Sequence, residues 1–506
     1  MAVGRIDIYT HYLMISQMDG WLKPLVFRFC DSLVQFGFKR QGKKVQKIKK
    51  CVFAASTMDR KELRLNISMK DSFMRYLAEM GYSLNRFTIV DHSHQQPVKV
   101  ELPLKGDKSP RDYQENILDY IVNDDEPNKV VTIQTGRGKT FIALTAASRI
   151  GYRTFICVLG RFMDKWIEDV ESTYNLEPGD LLVIDSKKAL LNAIQLGQEG
   201  KLICKVIICT TTTLQNYIKT YEAQQYIGKP TLLDPSGMYA ALGCGFRIID
   251  EIHMFFHVNF KIDLYSNIYK TLGLSATLES DDPFMNRMYN IAYPKSKRYR
   301  GLEYKKYIAS TALYYQLNLP TKLRWIGPQK TYSHTLFEES ILRSVKSTKA
   351  YLDLITNVVK NSYMNRRKDG HRMLIFASTK EMCRVIAEHL KGLYPTLKIS
   401  RYVAEDDYEV LMDSDISVST LGSSGTGVDI PGLTTVLMTS AVGSRQANSQ
   451  AVGRLRELLQ WPDVTPEFIY LVCQDIPKHE EYHQRKFDNF KDKVLSQRSA
   501  FSSFKI

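Results

Sequence analysis

Apolar residues along this chain keep two rhythms. Between residue 110 and about 290, short β-favouring runs alternate with stretches of helical period. VVTI, TFICVL, KVIICT, FRIID and TLGLSA are the predicted strands. Alternation on this spacing predicts a doubly wound parallel sheet. The rhythm returns from 372 to about 475 with RMLIFAS, LKISRYV, DISVST, TTVLMTS and FIYLVC. Ahead of both blocks the pattern is mixed. LKPLVFRFCDSLVQFGF predicts an amphipathic helix, CVFAAS and ELRLNISM predict strands, and DSFMRYLAEMGY predicts a helix that Gly81 stops. The polar, proline-bearing segment HSHQQPVKVELPLKGDKSP predicts a linker. The expected layout is an α+β domain over 1–95, a linker over 96–109 and a first α/β domain over 110–292. A connection over 293–345, a second α/β domain over 346–478 and a charged tail over 479–506 complete it. The tail reads as a charged helix that then frays.

Length agrees with this division, because 506 residues exceed one core and suggest roughly three or four domains. A hydrophobic share of 44% lets such cores form. The opening MAVGRIDIYTHYLM mixes polar and charged residues and does not read as a signal peptide, and no apolar run approaches a membrane span. Eight cysteines are scattered without a C-x-x-C pair, as expected of reduced core thiols in an intracellular protein. A cytoplasmic location is the expectation, in a bacterial or phage-infected cell.

Charge sharpens the picture. The net charge is +15, and residues 1–100 hold 17 Lys/Arg against 8 Asp/Glu. Within them KRQGKKVQKIKK, Lys39 to Lys50, is basic and holds no acid. Clustered like charge repels itself unless a polyanion neutralises it, which points to nucleic-acid phosphate, with Lys43, Lys44 and Lys47 as candidate contacts. In KSKRYRGLEYKKY, basic residues also interleave with Tyr299, Tyr304 and Tyr307.

The candidate chemistry sits where predicted strands end. VVTIQTGRGKT reads as strand, glycine-bearing turn and helix start. Thr135, Gly136, Arg137 and Gly138 would wrap a polyphosphate with backbone N–H groups. Lys139 would meet the β- and γ-phosphates, and the Thr140 hydroxyl would ligate Mg²⁺. The strict phosphate-loop pattern has glycine where this chain has Ile133. In IIDEIH, an apolar strand ends in two carboxylates: Asp250 is placed to hold the metal and Glu251 to orient or deprotonate the attacking water. Upstream, Gln114 of PRDYQENIL offers an amide matching the adenine edge, with Arg111 and Tyr113 placed to cover the base. Ser275 and Thr277 of LGLSATL end a later strand and could link the carboxylates to a neighbouring domain. In STLGSSGTGVDIPG, hydroxyls, Gly427 and Asp429 suit a ribose or a phosphate. In SQAVGRLREL, Arg454 could reach a γ-phosphate as arginine fingers do.

In this order the motifs resemble those of the superfamily 2 helicases and translocases. PRDYQ stands as the Q-type motif, QTGRGKT as motif I, VLGRFMDKW as Ia and IICTTTTL as Ic. DEIH stands as II, SAT as III, LIFAS as IV, GTGVDIP as V and QAVGR as VI. The resemblance covers about 110–475. The R-x-Y-Q signature, the DExH box and the basic leading domain bring it nearest the RecG/UvsW/XPB-like branch, in particular phage branch-migration helicases of the UvsW type. It implies two tandem RecA-like domains with ATP and Mg²⁺ between them, and His253 coupling the site to Gln450 and motif III. A strand track would run past Arg161, Thr210, Thr211, Ser378 and Thr420. The implied activity is an ATP-dependent DNA helicase acting on forked or branched DNA in replication, recombination or repair. It would work as a monomer, away from membranes, with replication and recombination proteins as candidate partners. A DExH RNA helicase and a non-unwinding duplex translocase share these motifs. The chain departs from the family in motif VI, where Glu457 replaces a second arginine and Arg456 stands one position earlier. Either the helix is irregular there, or Arg454 is the only finger and Arg456 has another task.

Overall fold

The computed structural model describes residues 2–506 except 32, 42–43, 58, 124, 135, 229–230, 277, 281, 300–304, 328–329, 404–405, 407 and 425–429. Two compact units emerge, Met1–Ile133 with Arg137–Leu302, and Gln134–Gly136 with Glu303–Ile506.

The first unit opens with strands β1 (Gly4–Ile8) and β2 (Tyr12–Ser16), then a ribbon of β3 (Val34–Gln41) and β4 (Lys44–Val52). Strands β5 (Ala54–Ser56), β6 (Leu63–Asn66) and β7 (Phe87–Asp91) follow. Five of these form one sheet in the order β5-β6-β2-β1-β7, while among the described residues β3 and β4 pair only with each other. The expected helix LKPLVFRFCDSLVQFGF is shorter than its pattern suggested. Leu22–Asp31 is helical and buries Leu22, Val26 and Cys30 at helical spacing. From Val34 the apolar period drops to two (Val34, Phe36, Phe38) with Gly37 between, and the chain extends into β3. Gly81 takes φ +82° just beyond the helix Lys70–Glu79, as the sequence predicts.

This small sheet shares its packing with the larger sheet of the same unit. His11 Nε2 lies 2.8 Å from Thr271 Oγ1, Thr10 Oγ1 donates to Asn267 Oδ1 at 3.0 Å, and Arg64 pairs with Asp234 at 3.1 Å. Phe53 stacks on Phe284 at 5.3 Å between ring centres.

The larger sheet holds β8 (Asn128–Thr132), β9 (Thr154–Val158), β10 (Leu181–Ile184), β11 (Val206–Thr210), β12 (Phe246–Ile249) and β13 (Lys270–Ser275). Their order is β10-β11-β9-β12-β13-β8, and every pairing is parallel. Helices on both faces bury β9 and β11 throughout, which explains their continuous apolar runs. Arg247 breaks that rule on β12. It is fully buried, and it pairs with Asp263 at 2.5 Å and donates to Ser266 Oγ at 2.9 Å.

The second unit is a seven-stranded, wholly parallel sheet. Its strands are β14 (Ala309–Gln316), β15 (Arg372–Ala377), β16 (Ile399–Tyr402), β17 (Ile416–Thr420), β18 (Leu433–Met438), β19 (Glu467–Cys473) and β20 (Ser496–Lys505). They stand in the order β16-β17-β15-β18-β19-β14-β20. The stretch expected as a connection supplies β14 and the helix His334–Leu342. The tail does not fray: helix Pro477–Phe490 leads into β20, which pairs with β14 along its length. The charged composition hid this strand, because an edge strand with one solvated face needs few apolar residues. No helix among the described residues is long and apolar enough to cross a membrane.

Lys486, on helix Pro477–Phe490, is 2% exposed, donates to Val442 O at 3.0 Å and stands over the Tyr470 ring. Burial pulls its ammonium down to about 7. The folded chain therefore binds fewer protons at Lys486 than the unfolded chain between pH 7 and the ordinary lysine range, so this group makes stability rise with pH across that window. Lys486→Met is expected to raise the melting temperature at pH 7 and to flatten its rise toward pH 9. A thermal-shift series against pH reads both, and an unchanged slope would contradict the assignment.

Candidate active site

The phosphate-loop residues follow β8. Gly136 and Gly138 take φ +85° and +76°, a left-handed backbone that favours glycine, and helix Lys139–Ile150 starts directly after them. A side chain at Gly138 would also place its Cβ 2.7 Å from Gln114 Nε2. Gln114, 3% exposed on helix Asp112–Asn123, donates to Arg137 O at 3.3 Å and accepts from Arg111 N at 2.9 Å. Tyr113 OH donates to the same Arg137 carbonyl at 3.1 Å, and the Arg137 guanidinium lies 4.3 Å from the Tyr113 ring centre. The Q-type residues and the glycine turn therefore form one hydrogen-bonded unit.

The DEIH residues leave the carboxyl end of β12, two strands away in the sheet. Lys139 Nζ and Glu251 Oε1 are 2.7 Å apart, each side chain 10% exposed. Glu251 takes φ +42°, a strained conformation for a residue with a side chain. Its N–H donates to Asp250 Oδ1 at 2.9 Å, while Trp166 Nε1 donates to Asp250 Oδ2 at 2.8 Å. Burial and the neighbouring Glu251 charge push the Asp250 carboxyl up to about 6, against the pull of Lys139 and the Trp166 hydrogen bond. His253 Nδ1 lies 3.2 Å from Glu251 Oε2 and 2.8 Å from Ser275 Oγ, the last residue of β13. Burial holds its imidazole below the ordinary histidine range. One buried chain thus runs Lys139–Glu251–His253–Ser275, with Asp250 fixed beside it by backbone and indole.

Trp166 is the participant that sequence reasoning missed. It lies within VLGRFMDKW, where an aromatic on an amphipathic helix reads as core.

The remaining candidates fall elsewhere. Thr140 is the second residue of helix Lys139–Ile150. Arg161 is exposed on a short turn after β9, its guanidinium 4.8 Å from the Phe162 ring centre. Thr210 and Thr211 are buried at the end of β11. Thr210 Oγ1 caps the helix Thr211–Ile227 by accepting from Thr213 N at 3.1 Å, and Thr211 Oγ1 donates to Val158 O at 3.4 Å. Lys44 and Lys47 lie on β4, Lys47 opposite Phe38.

In the second unit, Ser378 N donates to Glu338 Oε1 at 2.8 Å at the end of β15, and Thr379 N donates to Oε2 at 2.8 Å. Glu338 is fully buried and is a second participant absent from the sequence reading. Thr420 closes β17, its Oγ1 2.7 Å from Ser423 Oγ. Gln450 lies on helix Arg445–Val452. That helix ends before Arg454, which is 4% exposed, so the irregular alternative holds and a helical projection does not relate Arg454 to Arg456. Arg456 Nη1 donates to Gly453 O, and Glu457 pairs with Lys305 at 2.5 Å. Lys43, Thr135, Thr277, Gly427 and Asp429 lie outside the described residues.

Residues 107–280, which contain both the glycine turn and DEIH, match the family model described as "Type III restriction enzyme, res subunit", a helicase-family domain. This stretch is therefore similar to a helicase-family domain. A domain of this family implies ATP hydrolysis. Among solved structures, the chain is similar to S. cerevisiae Dbp5 bound to RNA and ADP BeF3, at 13% identity over 78% of this chain and 91% of that one, with a TM-score of 0.51. The Pyrococcus furiosus Hef helicase domain aligns at 15% identity over 74% of this chain and 98% of that one, with a TM-score of 0.44. T4 UvsW aligns at 13% identity over 98% of this chain and 99% of that one, with a TM-score of 0.35. At such identity the likeness to Dbp5 speaks to fold, that of two RecA-like domains. No curated protein matches the sequence.

Proposed function

We propose that this chain is a superfamily 2 helicase that acts on DNA, unwinding or branch-migrating forked and branched duplexes in replication, recombination or repair. The observation that carries the DNA reading is the ribbon β3–β4. It is two-stranded, it pairs with no other strand among the described residues, and it carries the basic run Lys39 to Lys50. The major groove of B-DNA admits a two-stranded ribbon, whereas the deep, narrow major groove of A-form RNA does not.

The chemistry would run on the residues of the first unit. ATP carries its phosphates to the N-terminus of helix Lys139–Ile150, where N–H groups and the Lys139 ammonium attract them. The substrate's charge competes with Glu251 for Lys139, and a released Glu251 carboxylate can take a proton from the attacking water. His253 and Ser275 hold Glu251 in place. Thr140 and Asp250 would hold Mg²⁺, which supplies charge stabilisation at the phosphates. The donor set fits it: one hydroxyl and one carboxylate, since Mg²⁺ commonly takes one or two carboxylates plus substrate phosphates. In the second unit, Gln450 and Arg454 are candidates for the γ-phosphate and Ser378 and Thr420 for strand contact; in the first unit, Arg161 and the Thr210 loop are candidates for strand contact.

Gln114 would read adenine, and in doing so would exchange its bond to Arg137 O. Gln114→Ala is therefore expected to raise KM for ATP and to shrink the preference for ATP over GTP by up to about tenfold, the scale of one hydrogen bond worth about 0.5–1.5 kcal/mol. Unchanged discrimination in steady-state kinetics would remove Gln114 from base selection.

The test of the DNA reading is strand displacement on DNA forks, four-way DNA junctions and RNA duplexes of matched length. The expected result is activity on forks and junctions that falls when Lys44, Lys47 and Lys49 become glutamine, with a shallower salt dependence. Unwinding of RNA duplexes alone would overturn it.

A further inference from the structure

We infer that the second unit carries an additional site for nucleic-acid phosphates, in the cleft between the end of β14, the end of β20 and the helices His334–Leu342 and Val345–Ser362; this rests on the helicase reading above. The cleft measures about 470 Å³, and Lys322, Arg324, Arg343, Lys346 and Lys505 line it with hydroxyls from Ser340, Ser344 and Ser347. No lining side chain is acidic; the carboxylate of Ile506, which accepts from Asn318 N at 2.6 Å, is the one negative group in the lining against five cations, and no ion pair engages any of those cations among the described residues.

Folding alone does not account for this arrangement. Lys346 stands in the first turn of the 18-residue helix Val345–Ser362, which has no acidic residue there. The helix dipole makes that end positive, so a cation there is unfavourable and an anion favourable. Three other segments bring cations to the same place: the turn after β14, the end of helix His334–Leu342 and the end of β20. Like charges converging on a positive helix end repel one another until a polyanion arrives.

The location is equally specific. All seven strands of this sheet are parallel, so the ends of β14 and β20 lie on the same carboxyl edge as Ser378 and Thr420. Ligands of open α/β sheets bind outside the carboxyl ends of strands. One helix connects the two places. Glu338, on His334–Leu342, holds the N–H groups of Ser378 and Thr379, while Ser340 and Arg343 at the end of that helix face the cleft. The cleft therefore prolongs the strand contacts proposed for Ser378. It has no aromatic lining on which a base could stack, so it recognises backbone phosphate without regard to sequence.

The experiment uses the full chain and its Lys322→Gln/Arg343→Gln/Lys346→Gln variant, with fluorescent single-stranded and duplex DNA titrated across salt. Each lost phosphate contact flattens the log-affinity against log-salt slope by about 0.7 on single strands and about 0.9 on duplex. The expected result is a slope shallower by about 2 on at least one probe and affinity weaker by about tenfold or more at low salt. ATP hydrolysis without nucleic acid should be unchanged, as should the melting temperature. Slopes equal to the wild type on both probes would overturn the site while leaving the helicase reading intact, provided that DNA still stimulates wild-type hydrolysis. If the wild type binds neither probe, the helicase reading fails and the cleft with it. A Lys322→Arg/Arg343→Lys/Lys346→Arg variant should restore the wild-type slope; loss equal to that of the glutamine variant would show that charge is not the cause.

Discussion

Replacing Lys139 with alanine should reduce nucleic-acid-stimulated ATP hydrolysis by at least about 100- to 1,000-fold, the scale on which a preorganised charge at a transition state operates. Two consequences of the geometry separate this from simple misfolding. Lys139 and Glu251 are both mostly buried and sit 2.7 Å apart, so removing the lysine takes the ammonium away from a buried carboxylate that keeps only His253 of the Lys139–Glu251–His253 chain beside it. Breaking one side of a buried pair costs about 3–5 kcal/mol. Lys139→Ala should therefore lower the melting temperature as well as the rate. The double variant Lys139→Ala/Glu251→Gln, which also removes the stranded charge, should recover stability but not activity. Steady-state hydrolysis and thermal unfolding read the two effects independently. Full hydrolysis by Lys139→Ala would move the active site elsewhere.

Glu251→Gln should lower kcat by about 100- to 10,000-fold, the usual contribution of a positioned base, while ATP binding is retained or tightened. The amide keeps the shape of the carboxylate and its place beside His253, but it cannot accept a proton from water. It also releases Lys139 from its ion pair, so the lysine is free to meet phosphate. A split between lost kcat and preserved KM is what the role requires. Equal loss in both would mean that Glu251 serves binding. Asp250 gives a contrast: as the proposed metal residue, its change to Asn should impair the Mg²⁺ dependence of hydrolysis, which a magnesium titration distinguishes from the Glu251 effect.

What the sequence showed and what it hid follow from the range of the interactions. The glycine turn and DEIH were legible because each is built within a few residues: a strand ends, glycine permits positive φ, and a polar group stands at the edge. Gln114 was legible from its place ahead of the turn, although its bond to Arg137 O was not. Trp166 and Glu338 stayed hidden because their partners lie far along the chain, and nothing in a helical pattern tells a core indole from one that donates to Asp250. The first predicted helix overran into β3 because apolar spacing alone did not mark the change of period at Val34. The tail strand was missed for a related reason, since β20 gains its order from β14, almost two hundred residues earlier. Motif VI needed the end of its helix to be seen: with Val452 as the last helical residue, the spacing of Arg454 and Arg456 is no longer a question of helix faces.

The most direct test of the account is ATP-dependent strand displacement of a forked DNA by the full chain, followed beside ATP hydrolysis with and without that DNA. DNA should stimulate hydrolysis, displacement should require hydrolysable ATP, and Lys139→Ala and Glu251→Gln should lose both together. Displacement that proceeds without ATP, or hydrolysis indifferent to DNA, would contradict it.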